Sequence, residues 1–139
     1  MIELKELLKG AKFESLPVEV QWNLNCLLIK LNKIADLYKK PMIVTSGLRT
    51  LEDHLRIYRE KAAKEGKSFN QQLVPMKSKH LTGGAADISD PKKELQKWCL
   101  DNQPKLQELK LWCEDFAYTP NWVHFQVMPP KSGKLFFIP

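Results

Sequence analysis

The sequence predicts a single α+β domain spanning residues 1–139. Apolar residues recur at three- and four-residue steps through the first half of the chain. Short β-branched and aromatic runs, separated by turn residues, dominate from Leu111 onward. Helices early and strands late fit α+β better than a doubly wound parallel sheet. The length, 139 residues with 43% hydrophobic, supports one core without a disulfide scaffold.

Residues 17–39 read as a helix, with Leu24, Leu27, Leu28, Leu31, Ile34 and Tyr38 on one face. Ser15 stands near its N-cap and Pro17 suits the first turn. Lys39 and Lys40 suit the negative end of the dipole, and Pro41 stops the helix. Residues 42–46 read as a short β-branched strand that ends at Gly47. A second helix begins near Leu51, with Thr50 as N-cap and Glu52 and Asp53 in its first turn, and runs to about Glu65. Residues 66–84 form a long polar loop, a kind of segment that often carries function. Residues 85–88 read as a strand. Asp90 and Pro91 look like the N-cap and first position of a helix reaching about Asn102, and Pro104 starts another. Strands are expected at 111–116, 122–128 and 135–138, with Trp98, Trp112 and the helical leucines as core.

The net charge of +6 and pI near 9.2 favour an anionic partner without naming one. The lysines are dispersed and no nucleic-acid-binding motif accompanies them, so no nucleic-acid partner is expected. The three cysteines, Cys26, Cys99 and Cys113, are odd in number and lack C-x-x-C spacing, which reads as thiols in a reducing compartment. The start, MIELKELLKG, has no apolar h-region, and no apolar run is long enough to span a bilayer. The expectation is a monomer made in the cytoplasm without a signal peptide.

Two of the three histidines sit in unusual settings. In Ser78-Lys79-His80-Leu81-Thr82-Gly83-Gly84-Ala85-Ala86-Asp87, the glycines permit a tight turn and the alanines a close approach, so an imidazole and a carboxylate can meet. In Asn121-Trp122-Val123-His124-Phe125-Gln126, strand alternation puts Trp122, His124 and Gln126 on one face. Val123, Phe125 and Val127 lie on the other. Two histidines and a carboxylate, with water in the fourth position, are a known catalytic zinc donor set. On spacing alone, scattered histidines and aspartates read as hydrogen-bonding or surface residues. His54, on the helix after Thr50, reads as a partly exposed helix residue.

The pattern S-x-H-x-x-G-x-A-x-D followed by W-x-H resembles the D-Ala-D-Ala carboxypeptidase family of zinc peptidases. That family includes vancomycin-resistance dipeptidases, phage endolysins and cell-wall endopeptidases, and the hedgehog signalling domain shares its metal-site architecture. Ser78, His80, Gly83, Ala85 and Asp87 match in register, and Trp122 and His124 match downstream. The resemblance covers roughly residues 40 to 128. It implies a small antiparallel sheet with helices packed on one side, and a zinc ion held by His80, Asp87 and His124. Manganese or iron would also suit this ligand type. Thr45-Ser46-Gly47-Leu48-Arg49-Thr50 resembles the family's S-G-x-R-[ST] turn, which implies that Arg49 stabilises negative charge on the substrate or transition state. A cation is otherwise poorly placed at a helix start. Ser78, Asn121 and Trp122 stand on the substrate side, Trp122 as a pocket wall.

The implied activity is hydrolysis of amide bonds in peptidoglycan stem peptides at the cell wall, by carboxypeptidase or endopeptidase action. Small size, missing signal and basic charge suit a phage lytic enzyme. The chain departs from the family at Asn121, where many members carry the acid that serves as general base; an amide cannot take a proton. Three alternatives follow. Glu114 or Asp115 supplies the carboxylate, with Asp115 preferred; or catalysis proceeds without a strong base; or the domain binds zinc and wall peptide as a recognition module and does not cut.

Overall fold

The computed structural model describes residues 1–74 and 76–139, so Pro75 of the long loop lies outside the described residues. Among those described, five α-helices and five strands follow in the order α1 (Leu4–Leu8), α2 (Val18–Tyr38), β1 (Val44–Ser46), α3 (Leu51–Lys64), β2 (Ala85–Ser89), α4 (Glu94–Asp101), α5 (Gln103–Leu109), β3 (Trp112–Glu114), β4 (Trp122–Gln126) and β5 (Phe136–Phe137).

The architecture is α+β, as the helix-then-strand pattern predicts, but the sheet is mixed rather than antiparallel. Its order is β1-β2-β4-β3-β5, and the β3–β5 pair is parallel. The reason is topological. A reversal after β4 sends β5 back in the opposite direction, and β5 docks on the far side of β3, which already runs opposite to β4. The other three pairings are antiparallel.

The long helix α2 presents the expected stripe. Leu24, Leu27, Leu31 and Ile34 are fully buried against Ala86, Ile88, Val123 and Phe125 within one hydrophobic cluster. Lys39 ends α2 in the left-handed conformation at φ 61°. Trp98 packs at the edge of this core and Trp112 is only half-buried, short of the core position expected for it.

Helix α4 starts later than the Asp90-Pro91 pair suggests, at Glu94. Asp90 still caps it, from a distance: its two carboxylate oxygens accept from the backbone N–H groups of Leu95 and Gln96 at 3.0 and 2.8 Å. A buried carboxylate there satisfies orphan donors and meets the positive end of the dipole. Thr50 caps α3 as predicted, accepting from the Asp53 N–H at 3.1 Å. His54 departs from expectation, being fully buried on α3 with its ring 5.0 Å from that of Tyr58.

The N-terminal helix α1 has no counterpart in the sequence reading. Five residues do not hold a helix by propensity alone. Leu7 does so by complete burial in the core, and a capping box between Glu3 and Glu6 closes the first turn. The Leu7 carbonyl accepts from Leu48 N–H at 2.8 Å, and Lys9 Nζ donates to the Val44 carbonyl at 2.8 Å. Helix α1 thus pins the loop between β1 and α3, which carries Gly47 and Arg49.

Candidate metal centre

Strand pairing assembles most of the site. In the β2–β4 ladder, Asp87 lies directly opposite His124. In the β3–β4 ladder, Trp112 pairs Gln126 and Cys113 pairs Phe125, so the same register continued by one residue sets Glu114 opposite His124. Cross-strand partners share a face. Asp87, His124 and Glu114 therefore form a row across three strands, and Val123 and Phe125 point the other way into the core.

His80 comes from outside the sheet. It lies in a single 3-10 turn, Lys79–Thr82, capped by Ser78, whose Oγ accepts from the His80 N–H at 3.3 Å. Gly83 ends that turn at φ +76°, a conformation that favours glycine, and β2 begins two residues later. The Arg49 N–H donates to the His80 carbonyl at 3.0 Å, tying the turn to the β1–α3 loop.

The donor atoms converge. One ligand atom each from His80, Asp87 and His124 lies within 4.8 Å of the others. His80 Nε2 is 3.4 Å and His124 Nδ1 is 2.9 Å from Asp87 Oδ1. Ligands on a tetrahedral zinc at about 2.0–2.1 Å stand about 3.3 Å apart, and the two spacings to Asp87 lie on either side of that value. The histidines are about 5% exposed (4% for His80, 5% for His124), and the imidazoles meet edge to face at 5.2 Å.

Each imidazole has its other nitrogen committed to a protein oxygen. His80 Nδ1–H donates to the Gly47 carbonyl at 2.9 Å. His124 Nε2–H donates to Gln126 Oε1 at 2.9 Å, and Gln126 is itself oriented because its Nε2 donates to the Met128 carbonyl at 2.7 Å. With those nitrogens committed, His80 Nε2 and His124 Nδ1 are the ones that face Asp87; His124 Nδ1–H donates to Asp87 Oδ1 at 2.9 Å, and a metal held there would take the place of that proton. Oriented, tautomer-fixed histidines are what a metal centre requires.

The electrostatics match. Burial works to raise the Asp87 pKa, but the bonds to His124 and His80 and their charges override it and hold the carboxyl well below the usual range. Burial works to lower His124, but the bond to Asp87 and the charges of Glu114 and Asp87 raise it above its ordinary 6.5.

The remaining sequence candidates separate. Arg49 reaches the site: its Nη2 is 4.0 Å from Asp87 Oδ2 and donates to Ser46 Oγ at 3.3 Å. Glu114 Oε1 stands 3.7 Å from His124 Nδ1. Asp115, the carboxylate preferred from sequence, turns away: its Oδ1 accepts from the Ala117 N–H at 2.9 Å just past the end of β3. Asn121 is exposed at the mouth of β4, and its carbonyl accepts from the Asp90 N–H at 2.8 Å. Trp122 is half-buried on the strand. Cys26, Cys99 and Cys113 are free thiols outside the donor group, and burial, with the neighbouring Cys99, pushes the Cys113 thiol well up. Gln126 and the Gly47 carbonyl were not anticipated as site groups. The alternation that placed Gln126 on the His124 face was the signal for the first; no side-chain signal exists for a backbone carbonyl.

No helix among the described residues is long and apolar enough to cross a membrane. Comparison with protein-family models, with curated proteins and with solved structures finds no match to this chain.

Proposed function

We propose that this chain is a zinc peptidase of the D-Ala-D-Ala carboxypeptidase type, with the hedgehog-like fold of that family, and that it hydrolyses amide bonds in peptidoglycan stem peptides. The observation that carries the reading is the convergence of His80, Asp87 and His124 with both imidazole tautomers fixed by protein oxygens. The substrate class comes from the sequence motif. Zinc held by these three residues would supply a Lewis acid for the scissile carbonyl and a lowered pKa for a water.

The chain's own groups cover the rest of the reaction. Glu114, half-buried and beside His124, is the carboxylate placed to take a proton from the attacking water and return it to the leaving amine. Arg49 brings a permanent positive charge to the edge of the site, where negative charge develops on the carbonyl oxygen. Ser78 shapes the turn that presents His80, and Trp122 walls the strand beside it.

Asn121 favours a second reading, a zinc-dependent recognition module that binds wall peptide without cutting it. Zymography on purified cell walls decides between them. The zinc-loaded chain should clear the wall, and chelator should stop it. Folded, zinc-loaded protein that clears nothing would leave the recognition reading. His80→Ala and Asp87→Ala should each lose zinc by metal analysis; full occupancy in either would refute the ligand set.

A further inference from the structure

Helix α2 turns an apolar stripe to solvent as well as to the core. Val18, Trp22 and Ile29 are 80%, 70% and 58% exposed. At about 100° per residue they fall within about 40° of one another, on the side opposite Leu24, Leu27 and Leu31. Single exposed apolar residues are ordinary, but three in line on one helix make a patch. Trp22 alone offers on the order of 150 Å² to water, and the three together about 350 Å².

The charges on α2 say what covers this patch. The helix carries two carboxylates, Glu19 and Asp36, and two ammonium groups, Lys30 and Lys33. That balance suits neither an anionic membrane nor a polyanion. It is also ordered along the helix. Glu19 stands in the first turn and Lys30 and Lys33 in the C-terminal half, all on one flank of the stripe. The basic half is crowded: burial, then Lys110 and Lys33, lower the Lys30 pKa, with Cys26 opposing them.

Two copies of α2 packed antiparallel about a two-fold axis near Asn25 and Cys26 satisfy both patterns. Trp22 then meets Ile29 of the second copy, twice over, and Glu19 reaches the opposing Lys30 and Lys33. Asp36 falls past the start of the opposing helix. In place of the monomer expected from the sequence, we infer that the chain forms a two-fold homodimer through the outward face of α2, with Trp22 on the partner's Ile29 and Glu19 paired to the partner's Lys33. With its flanking side chains the patch buries about 1,000 Å² over both copies, the lower bound for a specific interface, so the dimer is weak and half formed at about 10–100 µM. Asp87 and His124 lie on the face of the sheet away from α2, so both metal centres stay open and the pairing does not rest on the peptidase reading.

Sedimentation of the full chain from about 1 to 300 µM tests the interface. The mass should rise toward twice 16.1 kDa, equally with and without zinc. A short bismaleimide should join two copies at half-buried Cys26, since Cys99 and Cys113 are buried. Trp22→Gln and, separately, Ile29→Gln, both at exposed positions, should keep the fold by circular dichroism and weaken pairing about tenfold or more. Glu19→Lys should weaken it about fivefold, and adding Lys33→Glu should restore most of the loss. A parallel pair would set Glu19 on Glu19 and show no such rescue. A chain that stays monomeric throughout, pairing that needs zinc, pairing undiminished in both glutamine variants, or a charge swap without rescue would overturn the dimer. Monomer that instead sediments with phosphatidylglycerol vesicles would give the face to lipid and overturn it as well.

Discussion

Gln126→Leu tests the claim that the His124 tautomer is set from behind. The side chain is buried, accepts from His124 Nε2–H and donates to the Met128 carbonyl. Leucine is close in size, so the strand keeps its packing while both bonds vanish. The imidazole is then free to place its proton on Nδ1, the nitrogen that faces Asp87. Loss of a partner behind a ligating histidine typically costs about 10–100-fold in metal affinity. Zinc affinity should therefore fall by that factor, or about 1.4–2.7 kcal/mol. Folding should suffer as well. The His124 Nε2–H is left buried without an acceptor, a penalty of about 1–3 kcal/mol.

Two measurements separate these effects: competition of the folded variant against a chelator of known affinity, and urea unfolding of the metal-free protein. Gln126→Glu is the companion. A carboxylate still accepts from His124 but no longer donates to Met128, so zinc affinity should be retained while stability drops. Unchanged zinc affinity in folded Gln126→Leu would refute the tautomer argument.

Glu114→Gln should reduce wall hydrolysis by about 10²–10⁴-fold with zinc binding kept, Asp115→Asn should change it little, and Asn121→Glu should add little; rates on purified wall read all three. Gly47→Ala should destabilise the fold by about 3 kcal/mol and weaken zinc binding, because an added Cβ runs into the Leu7 carbonyl and displaces the carbonyl that holds His80; thermal unfolding and chelator competition check it. The pH trends of the metal-free and zinc-bound forms should oppose each other. The raised His124 pKa contributes stability that is full below 6.5 and lost as pH rises through the folded value, whereas the lowered Asp87 pKa contributes stability present above 3.8 and lost at lower pH. Urea midpoints of metal-free protein should thus gain from both groups between about 3.8 and 6.5, while zinc affinity climbs with pH as His124 sheds its proton.

The three donor residues were legible through the motif they share with a known family, since on spacing alone they read as hydrogen-bonding or surface groups. A glycine turn and strand alternation fix the face each side chain takes, but their meeting depends on the β2–β4 pairing, which joins Asp87 to His124 across 37 residues. The tautomer-fixing bond of His80 was not legible, because its acceptor is a main-chain carbonyl 33 residues away. Helix α1 was missed for a related reason: its stability comes from burying Leu7, and a five-residue segment of alternating charge and leucine does not announce its tertiary partner. The late start of α4 has a similar origin, since Asp90 caps it across several residues rather than from the adjacent position. The mixed sheet depends on which side of β3 receives β5, a choice made by packing.

The choice between Glu114 and Asp115 turns on parity. Cys113 is a core residue, and Glu114, one position on, takes the opposite face of β3. The β3–β4 register then sets it beside His124. Asp115 falls past the strand, where its carboxylate closes a turn on Ala117. The same rule bears on Asn121. It lies three residues before His124, an odd offset that puts an extended residue on the other face of β4, so it can approach the metal ligands only around the strand's mouth. Glu114 needs no such detour. With a carboxylate on the strand beside His124, the amide at 121 does not by itself deprive the centre of a proton acceptor, and the case for cutting rests on Glu114.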